Sequence, residues 1–155
     1  MLAPANSYAG WNPNESDDLE QAAALAAIPR THSMYVASAS AAADYEVGVY
    51  KAPAQGAGAA VTRVSFVVDT AITGAATNTA TITVRQYRAG TLVGAVSGVT
   101  AFVTTASLAV LTEQVLFSGQ LNLRTGDVLT VQTTHAGTGA ALPALRVFVE
   151  AAPLV

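Results

Sequence analysis

Arg63-Val64-Ser65-Phe66-Val67-Val68 is the stretch on which the reading of this chain turns. Val64, Phe66 and Val68 alternate with Arg63, Ser65 and Val67. A period of two sends one set of side chains to each face of an extended strand. The rhythm returns downstream, where Ala80, Ile82 and Val84 alternate with Thr81, Thr83 and Arg85. It holds upstream as well, with Tyr45, Val47 and Val49 set against Glu46, Gly48 and Tyr50. Val and Thr dominate these runs, and β-branched side chains pack well on a pleated surface.

Further strands are expected where Val115 and Phe117 flank Leu116 and where Leu129 and Val131 flank Thr130. Another follows where Leu145, Val147 and Val149 alternate with Arg146, Phe148 and Glu150. Met34–Ala37 and Val99–Thr104 complete a set of about eight, separated by Gly-, Ala- and Pro-rich connectors. Short strands at this spacing argue for an all-β sandwich or jelly roll over residues 33–155, rather than for βαβ units; the jelly-roll sandwich is the expectation. The stretch Thr91–Thr112 has no clear period and is open between two strands and one long loop. Arg124-Thr125-Gly126-Asp127 reads as a tight turn in which Gly126 supplies a positive φ.

Residues 1–32 read differently, as an extended N-terminal arm with one short helix. Pro4, Pro13 and three asparagines mark irregular chain up to Asn14. Ser16 can cap a helix whose first turn carries Asp17, Asp18 and Glu20 against the positive end of the dipole. Leu19, Ala22, Ala23 and Ala26 then share one face, and Pro29 ends the helix. A helix so short needs something to lie against. Tyr8, Trp11, Leu19, Leu25 and Ile28 are the candidate partner-binding residues of the arm. Aromatic anchors dominate interface energetics when a pocket buries them.

Composition narrows the function classes. Of 155 residues, 52% are hydrophobic and 11% charged, against about 25% charged in ordinary soluble domains. Such a chain buries surface in an assembly or carries a bland exterior, and assembly is the expectation. No basic stripe is present, which argues against direct nucleic-acid binding. There is no cysteine, so disulfide scaffolds, thiol catalysis and cysteine-zinc sites fall away. The opening residues lack the basic and apolar regions of a secretion signal, and Ala22–Ile28 is far too short to span a membrane. Synthesis in the cytoplasm is expected, with no membrane contact.

Signals of chemistry are few. Gly56-Ala57-Gly58 lacks the strand–turn–helix setting of a phosphate loop and reads as a flexible connector. His32 and His135 have no carboxylate at ligand spacing. Asp69 and Asp127 could hold calcium but suit turn formation better. No nucleophile-elbow pattern occurs, so no enzyme and no cofactor are expected; a pocket joining His135 to Asp69 or Asp127 would reverse that expectation.

The text from Val64 to Val84 resembles a segment of virion proteins of tailed bacteriophages. Thr125-Gly126-Asp127-Val128-Leu129, followed by Gly137-Thr138-Gly139-Ala140-Ala141-Leu142-Pro143, is similar to the same group. The resemblance is to capsid decoration (cement) proteins and related surface modules, and it leaves the arm unmatched. It implies a jelly-roll core on the outer capsid surface of the virion, commonly a homotrimer, with the major capsid protein as partner. A receptor- or glycan-binding module of a phage fibre or tail appendage is the alternative it allows.

Overall fold

The computed structural model describes residues 28–38, 43–54 and 56–154, and there the chain is all β. Nine strands follow in order: β1 (Arg30–Val36), β2 (Tyr45–Lys51), β3 (Ala59–Val68), β4 (Thr79–Arg88), β5 (Thr91–Ala95), β6 (Phe102–Val103), β7 (Gln114–Leu123), β8 (Val128–Ala136) and β9 (Leu145–Pro153). One sheet has the order β1-β9-β3-β7; the other has β2-β8-β4-β5, with the short β6 also on β4.

The pairing is nested. β1 pairs with β9, β2 with β8, β3 with β7, and β4 with β5, all antiparallel. The chain is thus one long antiparallel ribbon wound so that successive strand pairs fall alternately in the two sheets. That winding is the jelly roll.

The alternation that marks the strands is the alternation of burial. Val64, Phe66 and Val68 are fully enclosed, as are Ala80, Ile82, Leu129, Val131, Leu145 and Val147. Phe66 meets Phe102 edge-on, with ring centroids 5.6 Å apart. Val61 and Val64 are both fully buried although an odd spacing should send them to opposite faces. A register shift between Val61 and Arg63 reconciles them, because a bulge inserts one residue and returns the strand to phase.

The same device corrects the reading of β7. Val64 pairs with Phe117 and Ser65 with Val115, which leaves Leu116 as the inserted residue. Leu116 is therefore buried beside Phe117, while Val115 is only partly covered. The unpatterned stretch resolves into β5, β6 and two isolated bridges, Val99 to Phe117 and Leu108 to Ile72. β5 is an edge strand with Leu92 and Val93 both exposed, so no inside–outside rhythm was there to read.

β1 begins at Arg30, so Arg30–His32 belong to the sheet rather than to the arm. The expected helix lies within residues 1–27, outside the described residues.

Candidate interaction surface

The expected contact residues Tyr8, Trp11, Leu19 and Leu25 lie outside the described residues. Ile28 stands half exposed immediately ahead of β1. The structure brings together, at that point, a surface the sequence did not single out.

β1 is covered only poorly. Six of its seven residues are exposed, and only Val36 reaches the core. Met34 and Tyr35 are 38% and 58% exposed, and being consecutive they face opposite sides of the sheet. His32 crosses to the other sheet and meets Tyr50 of β2, with ring centroids 5.0 Å apart. Burial pushes the Tyr50 hydroxyl above its ordinary pKa. Beside this pair lies an apolar groove of about 280 Å³, lined by Met34, Gly48, Val49, Tyr50, Lys51 and Val128. Among the described residues, it lies at the side of the sandwich formed by β1 and β2.

The opposite side differs. There the segment after β5 crosses between the sheets, with Thr100 N–H donating to the Leu116 carbonyl at 2.8 Å. A recess of about 310 Å³ lies against this crossing, lined among others by Thr83, Arg85, Leu92, Gly94 and Gln132. Arg85 stands 3.6 Å from Glu46. Glu46 also accepts from the Tyr87 hydroxyl at 3.0 Å and from the Thr130 hydroxyl. These contacts tie β2, β8 and β4 together on the outer face of their sheet.

At the end of the molecule where β3 leads into β4, a turn presents Val110 and Leu111 to solvent. Thr112 N–H donates to the Ala109 carbonyl at 3.2 Å. Leu111 has φ 56° and is 69% exposed. A leucine in the left-handed region is strained. The only sequence signal was an apolar pair inside an unpatterned stretch.

The groups considered for chemistry are engaged structurally. Asp127 is fully buried, and Arg88 donates to both of its oxygens, at 2.9 and 2.8 Å. The Gln86 amide and the Arg124 N–H also donate to it, at 2.7 and 3.1 Å. The Arg88 guanidinium leads in holding the Asp127 carboxyl down from 3.8 to about 2, helped by the Arg124 and Gln86 donors and opposed by burial. The expected turn is present, with Gly126 at φ 80°.

His135 does not meet Asp69 or Asp127. Its Nδ1 lies 3.1 Å from Asp44 and its Nε2 lies 3.1 Å from the Ala140 carbonyl. It ties the β1–β2 connection to the loop that leads into β9. Among the described residues, no group of three or more His, Asp or Glu side chains is placed to share a metal ion.

The glycine pair is a fixed junction rather than a flexible connector. Ala57 N–H donates to the Leu154 carbonyl, Leu154 N–H to the Gly58 carbonyl, and the Thr125 hydroxyl to the Gly56 carbonyl. A β-carbon on Gly58 would sit 2.0 Å from the Leu123 carbonyl oxygen.

No protein family matches the chain by sequence, and no curated protein matches it. In backbone shape it is similar to a chain in the structure of infectious bursal disease virus, Gx strain, with 14% identity and a TM-score of 0.33. That similarity covers 82% of this chain and 37% of the viral one, so this chain spans well under half of that chain's length.

Proposed function

We propose that the protein is a non-enzymatic structural component of a bacteriophage virion. It decorates the outer surface of the capsid and stabilises it, as a homotrimer that braces neighbouring copies of the major capsid protein. The observation that carries this reading is the exterior of the jelly roll. β5 has no charged residue and no proline, and the one fully charged residue of β1 is Arg30 at its first position. Natural edge strands are normally guarded by charge, proline or a bulge against pairing with other chains. Strands that expose Met34, Tyr35, Leu92 and Val93 with no charge or proline among those residues, and with only the bulge at Val93 as a guard on β5, suit burial between protomers.

The resemblance to decoration proteins supplies the particle. Its first segment runs from Val64 in β3 through the connector into β4, and its later ones cover the β7–β8 turn and the β8–β9 loop. The engagement of Asp127 by Arg88 and of His135 by Asp44 supports a role without catalysis or cofactor. Tyr8 and Trp11 anchor the leading segment in the shell, with the cost of ordering it met on docking. Synthesis takes place in the host cytoplasm, and neither nucleic acid nor membrane is a partner.

A second reading, a receptor- or glycan-binding module of a fibre or tail appendage, is favoured by one feature. The recess beside Arg85 gathers Thr83 and Gln132 next to the apolar Leu92, and convergent polar groups in a partly apolar hollow are what small-ligand sites require. Copy number on purified particles separates the two. Hundreds of copies are expected for decoration, and a handful would make the appendage reading correct. Replacing Tyr8 and Trp11 together with alanine should reduce occupancy while leaving the β domain folded; full occupancy would refute the anchoring role.

A further inference from the structure

We infer that the break in the strand beside β4 is a binding site for one neutral sugar unit, held by Thr83, Arg85 and Gln132. The inference rests on the second reading above and names the class of ligand that the recess takes.

The recess exists because the neighbour of β4 is interrupted. β5 pairs with Arg85–Arg88, and β6 pairs with Thr81 and Ile82. Among the described residues, Thr83 and Val84 have register partners on β8 alone. The chain between β5 and β6 leaves this sheet to meet β7 in the other one, through the Val99–Phe117 bridge and the Thr100–Leu116 hydrogen bond. Val99 N–H also turns back to the Val96 carbonyl at 3.4 Å. The detour is thus held by backbone contacts, and the gap of about 310 Å³ that it leaves is built into the fold. That volume is at the lower end for small-molecule sites, which suits a single ring.

The walls offer what such a ring needs. The register sets Thr83 beside Gln132 and Arg85 beside Thr130, with paired side chains on the same face. Thr83, Arg85 and Gln132 bring a hydroxyl, a guanidinium and an amide to the recess, a set that both donates and accepts. Leu92, Val96 and Val99 form its apolar wall. Hydroxyls at the rim of a sugar meet the first group, and its C–H face meets the second.

Charge decides between a neutral and an anionic ligand. Arg85 stands 3.6 Å from Glu46, outside hydrogen-bond range. The Glu46 oxygens accept instead from the Thr130 and Tyr87 hydroxyls. Arg88 differs, because its Nε and Nη2 are both spent on Asp127. Arg85 therefore keeps donors free for a ligand while a neighbouring carboxylate balances its charge. An anion would set a second negative charge close to Glu46. A hydroxyl-rich neutral ring takes the same donors without that repulsion.

The test is an NMR titration of the isotope-labelled full-length protein. The probes are glucose, galactose, mannose and N-acetylglucosamine, with glucuronate and acetate as anions. At least one neutral sugar should shift the backbone amides of Thr83 and Val84 and the side-chain amide of Gln132, with Kd on the order of 1 mM. Arg85→Ala should weaken that binding about tenfold, and the near-isosteric Thr83→Val about threefold. Shifts caused by glucuronate or acetate and by no neutral sugar would overturn the inference in favour of an anion site. Silence from every probe would overturn it, and so would sugar binding that neither variant weakens. Copy number tests the appendage reading separately. A handful of copies with a silent recess would keep the appendage and remove this site, whereas a sugar-binding recess on a protein present in hundreds of copies would do the reverse.

Discussion

Arg88 grips Asp127 with two parallel hydrogen bonds, Nε to one carboxylate oxygen at 2.9 Å and Nη2 to the other at 2.8 Å. The contact joins the end of β4 to the turn that begins β8, and it fixes where two strands of one sheet start and stop. The folded protein holds the Asp127 carboxyl at about 2, below its ordinary 3.8. Folding therefore favours the ionised form. The stabilisation is fully present above about pH 4 and is lost as pH falls towards 2. Because the Arg88 side chain is 40% exposed, solvent screening reduces its worth to about 1–2 kcal/mol. Asp127→Asn should flatten the loss of stability in that window. Urea midpoints for both proteins at neutral pH and in acid would check it, and parallel acid losses would contradict it.

Gly58→Ala should be among the most damaging single changes in the domain. The residue has φ 112°, and its missing side chain is the space in which the Leu123 carbonyl sits. An alanine pays for the left-handed backbone and must also push β7 away from β3, at a combined cost of at least about 2 kcal/mol. Gly90→Ala is the control. It has φ 81° but nothing within 4 Å of the added carbon, so it should cost only about 1 kcal/mol. Equal thermal shifts for the two would show that the close approach at Gly58 carries no weight.

Strands with one face inside and one outside were legible because burial imposes the period: Val64, Phe66 and Val68 could be placed from the sequence alone. The bulges were not, since the shift that buries Leu116 depends on how β3 and β7 meet and not on either segment. β5 escaped for a different reason, because an edge strand exposed on both faces has no pattern to display. The groove was invisible for the same cause. It is lined by residues of β1, β2 and β8, which pairing across two sheets brings together, and no local run of residues encodes that meeting. The Arg124–Asp127 turn was readable from Gly126, yet nothing local named Arg88 as the partner of Asp127.

Thr133→Val should stabilise the protein. Thr133 is fully buried on β8, and its hydroxyl has no hydrogen-bond partner among the described residues. It lies opposite Tyr45, whose own hydroxyl is likewise buried without a partner. A desolvated hydroxyl without a partner is a cost that the near-isosteric valine removes. The gain should be about 1 kcal/mol by urea denaturation. A destabilised variant would mean that the two hydroxyls bond through a bridging group.

Leu111→Asn separates stability from function at the exposed tip. Leucine at φ 56° is strained, and with 69% of its surface in solvent it wins back little by packing. Asparagine tolerates the left-handed region far better. The substitution should therefore raise the stability of the isolated protein by about 0.5–1 kcal/mol. A residue that costs the free protein stability is understandable if its side chain fills a pocket on a neighbour, where an apolar anchor contributes more than the strain removes. The variant should accordingly show a higher Tm in solution and a lower occupancy on particles. A higher Tm with unchanged occupancy would show that the tip faces solvent in the assembly. A lower Tm would show that Leu111 packs against its own domain after all.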